Sequence, residues 1–214
     1  MEDFLEDIKN DHRDFDQGKL EGNFGSTPFD LFQKWYQEAF ETNQVEFNAF
    51  SLSTVDQQGQ PSSRILYLKE LIDEHFVFYT NYESHKGQDL ARNPKASMLF
   101  FWPGLQRQLR IEGTVEKVEE AVSDAYFASR PRGSQIGAWA SKQSEWLEDR
   151  SELEHKVAAY AEKFPDLVPR PAHWGGYQLK PILVEFWQGR PSRLHDRIVY
   201  FFENGQWHVQ RKNP

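Results

Sequence analysis

The chain has 214 residues and a formal net charge of -8 at pH 7, with 33 acidic side chains and 25 lysines or arginines. This acidic balance argues against non-specific nucleic-acid binding, which depends on cations that displace counterions along the backbone. The chain has no cysteine and no apolar run near the ~18 residues of a membrane span, so we expect no disulfide, no membrane segment and a cytoplasmic location.

The length and the aromatic content predict one folded domain. Aromatic residues make up 15% of the chain and supply apolar area for a core. Residues 1–25 open with the acidic stretch MEDFLEDIKNDHRDFD and are predicted to form a flexible N-terminal segment. Residues 26–214 are predicted to form a single domain.

The first predicted elements are a helix and a hairpin. Residues 26–40 carry apolar side chains at helical spacing, with Thr27 as the N-cap and Pro28 in the first turn. Residues 49–55 and 62–68 alternate in polarity on either side of the turn sequence DQQGQP, which predicts two antiparallel strands.

The rest of the chain adds strands and helices. Further strands are predicted at 75–80, 96–102, 107–118, 181–187, 197–203 and 206–211, and helices at roughly 84–92, 119–129 and 144–163. Asn204-Gly205, between the last two strands, is a strong hairpin signal. Residues 164–181 contain four prolines and are predicted to be a rigid connector. The pattern predicts an α+β fold in which about six to eight mostly antiparallel strands form a closed or nearly closed barrel with peripheral helices.

Several common catalytic motifs are missing from the sequence. It lacks the glycine-rich patterns GxGxxG and GxxxxGK[ST], the zinc motif HExxH, the serine-hydrolase motif GxSxG and any cysteine nucleophile. The histidines do not fall at metal-ligand spacing, so no metal site is expected. Chemistry without a metal or a side-chain nucleophile favours an organic cofactor.

Two groups of cations stand out in this acidic chain. Arg64 and Lys69 lie on one predicted strand and point to opposite faces of it unless its end twists. His85 and Lys86 follow Ser84 at a predicted helix start, where a cation is unfavourable unless an anion binds there too. Ordinary solvated charges are the alternative for both groups.

A third group consists of Tyr126, Arg130 and Ser134. The first two are four residues apart on one predicted helix face, and Ser134 follows in a predicted glycine-containing turn. Two hydroxyls and a guanidinium suit a phosphate monoester, although a capped helix end with a surface arginine is the alternative. Residues 185–197 add a base-rich stretch, EFWQGRPSRLHDR. One bisphosphorylated ligand or two phosphorylated ligands would satisfy these groups.

Six ordered segments resemble one protein family. They are SSRILYLK, FVFYTNYESHKG, RQLRIEG, DAYFASRPRGSQIGAWASKQS, PRPAHWGGYQLKP and EFWQGRPSRLHDR. Together they resemble the pyridoxine 5'-phosphate oxidase family (pyridoxamine 5'-phosphate oxidase), and the matching segments span about 26–211. One segment alone is a weak signal, whereas six in family order are a specific one.

The resemblance implies a fold, a cofactor and a reaction. Members of the family are FMN-dependent homodimers with a split β-barrel, and their active sites lie at the dimer interface, to which residues from about 174 to 214 would contribute here. The implied reaction oxidises pyridoxine 5'-phosphate or pyridoxamine 5'-phosphate with O2 to pyridoxal 5'-phosphate. It releases hydrogen peroxide and, from the amine, ammonia.

The resemblance also implies site residues. For FMN they are Arg64, Ile65, Leu66, Tyr67, Leu68, Lys69, Tyr79, Thr80, His85, Lys86, Gln108, Gln143, Ser144, Trp187 and Arg197. For the substrate phosphate they are Lys69, Tyr126, Arg130 and Ser134, and for the pyridine ring the catalytic pair Arg193 and His195. Arg190 receives no role and is interpreted as a surface charge.

The sequence departs from the family pattern at three places. His85 stands where members usually have arginine, which implies weaker or pH-sensitive binding of the FMN phosphate. Phe15 stands about where members often have a tyrosine that covers the substrate, so Phe15 is left out of the predicted site. The ending RKNP replaces the usual R-L-x-P.

Two other functions are compatible with the same fold. A non-catalytic carrier of FMN or pyridoxal phosphate would keep the phosphate residues but would not need the pair Arg193 and His195. A split-barrel flavin reductase with a nicotinamide donor would not be expected to keep the substrate-phosphate residues. The chain contains both sets, so the oxidase is the expected function.

Overall fold

The computed structural model describes Lys9 and residues 14–214, and the bounds below refer to these residues. The helices are α1 (Pro28–Glu41), α2 (His85–Arg92), α3 (Glu120–Ser129), α4 (Arg132–Ala140) and α5 (Arg150–Lys163). The strands are β1 (Ala49–Val55), β2 (Pro61–Tyr67), β3 (Glu70–Ile72), β4 (His75–Asn81), β5 (Lys95–Trp102), β6 (Arg107–Lys117), β7 (Trp174–Gln188), β8 (Asp196–Glu203) and β9 (Gln206–Lys212). Short 3₁₀ turns lie at Pro103–Leu105 and Pro191–Arg193.

The predicted α+β fold with an antiparallel sheet is confirmed. The strands follow the order β2-β1-β5-β6-β7-β4-β3, and β8 pairs with both β7 and β9. The described part of the chain has nine strands, whereas eight strand segments were predicted. The additional strand is the short β3. Three residues are too few to show a two-residue period.

The predicted helix and hairpins are also confirmed, with one difference in detail. Thr27 occupies the N-cap position of α1, but its side chain makes no capping hydrogen bond. Strands β1 and β2 pair from Ala49 opposite Tyr67. Asn204 and Gly205 have φ angles of 52° and 81°, as a tight two-residue hairpin turn requires.

The predicted connector over residues 164–181 is wrong in its second half, because β7 already begins at Trp174. Gly175 and Gly176, which predict a loop, lie in this strand where neighbouring groups come very close. A Cβ on Gly175 would stand 2.1 Å from Tyr82 Oη and 2.9 Å from Ser123 Oγ, so a larger residue would force these side chains to shift. A strand glycine that allows close approach cannot be distinguished from a loop glycine by sequence pattern alone.

Two helix predictions are also corrected. Residues 144–149 are not helical, and α5 begins after Asp149, whose carboxylate accepts the Ser151 N–H at 2.7 Å. Ser134 lies in helix α4 and not in a turn. Gln135 explains this local structure, since its buried amide donates to the Phe127 carbonyl at 2.9 Å and ties α4 to α3.

The chain clusters into two compact units. Within the described residues, the first unit comprises 14–47, 99–111 and 183–214, and the second comprises 48–98 and 112–182. The single domain expected over 26–214 remains a prediction. Of the N-terminal segment 1–25, residues 14–25 belong to the first unit, and all others except Lys9 lie outside the described residues.

Aromatic side chains form the core of the first unit. Trp35 of α1 packs edge-on against Trp102 and Phe186, with ring centroids 6.5 and 5.1 Å away. Leu20 is buried, and its N–H donates to Asp196 Oδ2 at 3.1 Å. The last residues of β7 and the first of β8, which carry several predicted site residues, therefore rest on a closely packed core.

The second unit has two buried apolar clusters. Phe78 of β4 contacts Phe50 and Tyr177, with ring centroids 5.9 and 5.8 Å away. Helices α3 and α4 pack on a separate cluster formed by Phe127, Ile136, Val168 and Trp174. These clusters fix the ends of β4 and α3, where further predicted site residues lie.

Among the described residues, no helix combines the length and the apolar composition that crossing a bilayer requires. The cytoplasmic location expected from the sequence remains a prediction.

Helix α2 passes so close to Tyr82 that Gly87, the third residue of the helix, tolerates no side chain. A Cβ on Gly87 would lie 2.1 Å from the Tyr82 carbonyl oxygen and 2.8 Å from its Cα. We predict that Gly87→Ala lowers the free energy of unfolding by about 1–3 kcal/mol, because backbone cannot yield as a flexible side chain can.

The matched control is Gly137→Ala in helix α4, where a Cβ would meet nothing within 4 Å. This change should be neutral or stabilise by roughly 0.5–1 kcal/mol, since alanine is the better helix former. Urea unfolding of the three proteins measures both effects. Equal stabilities of the two variants would contradict the close approach at Gly87.

Candidate functional site

Many of the predicted site residues lie in three clusters, two in the second unit and one in the first. The first cluster surrounds Lys86, in the first turn of α2. Ser84 caps this helix, since its Oγ accepts the Gly87 N–H at 3.4 Å. Lys86 is buried, and its Nζ donates to Thr80 Oγ1 at 3.2 Å, Ser84 Oγ at 3.1 Å and Gln143 Oε1 at 2.8 Å. All three acceptors are neutral, so these contacts do not balance the lysine charge.

A second cation, Arg64 of β2, belongs to the same cluster. Its guanidinium donates to Thr54 Oγ1 at 2.7 Å and to Ser62 Oγ at 2.6 Å, again neutral oxygens. Burial, and then the charge of Arg64, lower the pKa of Lys86 to about 8. Burial also lowers the pKa of Arg64, against the opposing charge of Asp89. Two desolvated cations of this kind favour a bound anion.

His85 lies on the exposed side of α2, with 59% of its side chain accessible. Its Nε2 is 3.9 Å from Oδ1 of the buried Asp89, whose other oxygen accepts the Thr54 hydroxyl at 2.7 Å. His85 therefore stands next to the Lys86 cluster and does not contribute to its buried hydrogen bonds.

The segment from Arg64 to Lys69 presents alternate sides. Ile65 and Tyr67 are 61% and 41% exposed, Leu66 is half-buried and Leu68 is buried. Strand β2 ends at Tyr67, so the predicted alternation does not extend to Lys69. The Lys69 ammonium is exposed and lies 5.3 Å from the Tyr67 ring centroid.

The second cluster is an aromatic stack with an arginine on it. Tyr79 and Tyr126 stack at 3.8 Å between centroids, and Trp174 lies parallel to Tyr79 at 5.7 Å. The Arg130 guanidinium sits 4.4 Å from the centroid of the Trp174 ring. The stack therefore brings together Tyr126 and Arg130, as the spacing predicts, and adds Tyr79 to them.

Arg130 has an unsatisfied donor. Its Nη1 is buried and has no hydrogen-bond partner among the described residues. Burial lowers the pKa of Arg130, which the nearby Tyr126 opposes. Ser134 is exposed in the first turn of α4, close in sequence to this nitrogen. A buried guanidinium nitrogen without an acceptor is costly, and an anionic ligand would satisfy it.

The third cluster, in the first unit, holds His195 between two aromatic rings. Trp187 and Phe15 lie 4.5 and 5.6 Å from the imidazole centroid, and 5.9 Å from each other. Phe15, which was left out of the predicted site, therefore contacts a predicted catalytic residue. The signal that could have identified Phe15 is the tyrosine that family members often have at about this position.

A backbone hydrogen bond fixes the state of His195. The Arg190 N–H donates to His195 Nδ1 at 3.1 Å, so Nδ1 carries no proton, and the neutral ring bears its proton on Nε2. Burial, and then the charge of Arg193, lower the pKa of His195. His195 is therefore a neutral hydrogen-bond donor at pH 7.

The interpretation of Arg190 as a surface charge is wrong. Its side chain is only 35% exposed; Nη1 donates to the Gly18 carbonyl at 3.1 Å, and Nε lies 3.7 Å from Asp196 Oδ2. Arg190 thus connects the N-terminal segment to the loop that carries His195. These partners are distant in sequence, so local pattern could not reveal them.

Arg193 is exposed at the end of the 3₁₀ turn that follows Arg190. Ser192 and Arg193 have φ angles of 57° and 61°, in the left-handed region that non-glycine residues rarely adopt. Asp14 holds this turn, since its carboxylate accepts the Ser192 N–H at 2.9 Å. Strained backbone of this kind is often retained at functional sites.

The remaining predicted residues lie in less distinctive positions. Arg197 of β8 is partly buried opposite Trp187 and binds the carboxylate of Glu185, a residue that was not predicted. Gln108 is partly buried on β6, and Ser144 is exposed with a φ of 75°. Glu185 lies in the quoted base-rich stretch, but nothing in the pattern distinguishes it from a surface carboxylate.

Solved structures of similar proteins identify the class of fold. A solved structure of PhzG from Burkholderia lata 383, in complex with tetrahydrophenazine-1-carboxylic acid, matches with a TM-score of 0.85 and 29% identity over 92% of this chain and 100% of that one. An FMN-binding, pyridoxamine 5'-phosphate oxidase-related protein from Nostoc punctiforme matches with a TM-score of 0.71 at 16% identity, over 89% of this chain and 100% of that one. The fold is thus an α+β split barrel.

The family models and relatives then give the family. The model for pyridoxamine 5'-phosphate oxidase matches residues 36–164, and the model for the pyridoxine 5'-phosphate oxidase C-terminal dimerisation region matches 174–214. Pyridoxine/pyridoxamine 5'-phosphate oxidase 1 of Ralstonia nicotianae is 56% identical over 87% of this chain and 89% of its own. The homologous oxidase of Pseudomonas paraeruginosa is 53% identical over 92% and 93%. The chain belongs to the pyridoxine/pyridoxamine 5'-phosphate oxidase family.

The hydrogen bond at His195 generates a prediction about its protonation. In ¹⁵N spectra of histidine-labelled protein at neutral pH, the His195 ring should be neutral with its proton on Nε2. Its apparent pKa should lie below the ordinary value of about 6.5. A His195→Gln variant identifies the signals by their loss. A proton on Nδ1, or a raised pKa, would contradict the assignment.

Proposed function

We propose that this protein oxidises pyridoxine 5'-phosphate or pyridoxamine 5'-phosphate with O2, using FMN. The product is pyridoxal 5'-phosphate, with hydrogen peroxide and, from the amine, ammonia. Membership of the family and the names of the relatives support this reaction. The observation that carries the proposal is the buried Nη1 of Arg130, near the Tyr126 ring, for which the described part of the chain offers no acceptor.

The Lys86 cluster fits the phosphate of FMN. Lys86 and Arg64 are desolvated cations whose described acceptors are neutral oxygens, and the N-terminus of α2 adds its partial positive charge. The residues proposed to contact FMN are the set that the resemblance implies, from Arg64–Lys69 through Arg197. When bound, FMN supplies the two-electron acceptor that links the substrate to O2.

The Arg130 cluster fits the substrate phosphate. Arg130 offers its Nη1, which no described residue bonds, while the hydroxyls of Tyr126 and Ser134 and the exposed ammonium of Lys69 add further donors. Tyr79 holds the Tyr126 ring by stacking, and its own hydroxyl donates to Glu70 at 2.8 Å. The phosphate ester would therefore be fixed by several charge-assisted hydrogen bonds to side chains already held in place.

His195 and Arg193 act on the pyridine ring in this proposal. His195 donates from Nε2 to an oxygen substituent of the ring, and Phe15 and Trp187 keep the imidazole in place. Nδ1 already accepts a hydrogen bond and Nε2 already carries a proton, so neutral His195 is not the base. The exposed guanidinium of Arg193 orients the substrate with its planar group of donors.

The proposed assembly is a homodimer, since residues 174–214 match a dimerisation region. PhzG is a related protein whose solved complex contains a carboxylic acid. A carboxylic acid without a phosphate ester gives no reason for the Arg130 cluster, which favours the phosphorylated substrates here. The experiment below also tests the two alternative functions, a non-catalytic carrier and a flavin reductase.

Anaerobic mixing with pyridoxine 5'-phosphate is the test of the reaction. The FMN-loaded protein should lose its visible flavin absorbance without oxygen and recover it on admission of air, with peroxide and pyridoxal 5'-phosphate as products. An unchanged spectrum would favour the carrier. Rapid NADH oxidation without pyridoxine 5'-phosphate would favour the reductase.

Replacement of Arg130 tests the substrate-phosphate site. Arg130→Met should raise KM for pyridoxine 5'-phosphate by roughly 10- to 100-fold, because a charge-assisted hydrogen bond contributes about 1.5–3 kcal/mol. The matched control is Arg132→Met, since Arg132 instead donates to the backbone carbonyls of Asp166 and Phe164. Steady-state kinetics should show an unchanged KM for the control, and equal effects of the two substitutions on KM would contradict the assignment.

The lowered pKa of Lys86 gives FMN binding a pH dependence. Lys86 is charged below about 8 and neutral above it, so the affinity of the ligand-free protein for FMN should fall as the pH rises through 8. Fluorescence titrations at several pH values measure this change. Lys86→Met should bind FMN more weakly and lose the dependence. A constant affinity in the wild-type protein would contradict the role of Lys86.

A further inference from the structure

A buried carboxylate in the first unit joins two arginines from neighbouring strands. Glu185 of β7 is 4% exposed, and its Oε2 accepts from Arg110 Nη2 at 2.7 Å. Its Oε1 accepts from Arg197 Nε at 2.7 Å and lies 2.6 Å from Arg197 Nη2, within ion-pair distance. Burial opposes ionisation of Glu185, but the hydrogen bonds from both guanidinium groups bring its pKa below the ordinary value.

The strand register places this carboxylate next to the Trp187 ring. Glu185 and Trp187 are two residues apart on β7 and point to the same face. Arg197 of β8 lies directly opposite Trp187, so its side chain shares that face. Glu185 therefore contacts Arg197 diagonally across the β7–β8 pair, and this contact fixes the position of the Arg197 guanidinium.

The hydrogen bonds of Arg197 leave part of its guanidinium free to act. Arginine has five N–H donors. Nε donates to Glu185, Nη2 lies close enough to the same carboxylate oxygen to direct one N–H at it, and Nη1 donates to the Asn213 carbonyl at 3.2 Å. One N–H on each terminal nitrogen remains.

We propose that Glu185 is a positioning residue for the cofactor: it holds Arg197 against the Trp187 face so that the two remaining N–H groups meet the flavin ring. This inference rests on the proposed function, because Arg197 is a proposed FMN contact. A purely structural role is the competing explanation, since the same carboxylate connects β6, β7 and β8. The two explanations differ in whether the effect of Glu185 on FMN depends on Arg197.

The experiment is a double-mutant cycle read by FMN affinity of the ligand-free protein. Glu185→Gln and Arg197→Gln should each weaken FMN binding by about tenfold or more, as for residues in direct contact. With Arg197 already replaced, Glu185→Gln should change the affinity less than about twofold. If the double variant instead weakens FMN binding by the product of the two single factors, Glu185 acts independently of Arg197 and the inference is overturned.

A second variant keeps the test informative if the glutamine protein fails to fold. Glu185→Asp retains the buried negative charge but is one methylene shorter and cannot reach both arginines in the same way. It should keep the thermal unfolding midpoint near that of the wild type and still weaken FMN binding by several-fold. Wild-type affinity in a folded Glu185→Asp protein would also overturn the inference.

The matched control is Glu38→Gln, which removes another carboxylate that pairs with an arginine in the first unit, Arg107. This change should leave FMN affinity unaltered, and a loss equal to that of Glu185→Gln would overturn the specific role. A wild-type protein that does not bind FMN at all would instead refute the proposed function. Failure of the inference alone leaves wild-type FMN binding intact.

Discussion

The candidate site depends on cations that the fold buries without a carboxylate to balance them. Lys86 donates to three neutral oxygens, and Arg130 has a buried nitrogen without an acceptor among the described residues. Removing such groups from water costs free energy that neutral acceptors do not fully restore. The fold holds both cations firmly, through the cap of α2 and the stack on Trp174. The anionic ligands proposed above would supply the charge that both arrangements lack.

In the first unit, two basic side chains of the candidate site have partners that balance or remove their charge. Arg197 shares a buried carboxylate with Arg110, and His195 is kept neutral by a backbone donor. These groups are therefore suited to directing hydrogen bonds at a ring, whereas Lys86 and Arg130 are suited to binding phosphate. In the proposal, charged groups bind the phosphates and hydrogen-bond donors orient the rings. Which role a side chain has depends on whether the fold pairs or neutralises its charge.

Local pattern predicted most elements but few of the contacts that position the site. Helix α1 and the hairpin at Asn204 follow from periodicity and turn chemistry. The first half of β7 was missed because its glycines permit close packing and do not form a loop. The resemblance supplied the site residues, yet Arg190 and Glu185 remained unrecognised. Their partners, Gly18 and Arg110, are 172 and 75 residues away in sequence, and only the folded chain brings them together.

We propose that the chain has two separate phosphate sites, one for a cofactor and one for a substrate. Calorimetric titration of the FMN-saturated protein with pyridoxal 5'-phosphate distinguishes two sites from one. With two sites, about one further equivalent binds per chain without release of FMN, and Arg130→Met loses that binding while it retains FMN. Displacement of FMN by pyridoxal 5'-phosphate would show a single shared site and refute the proposal.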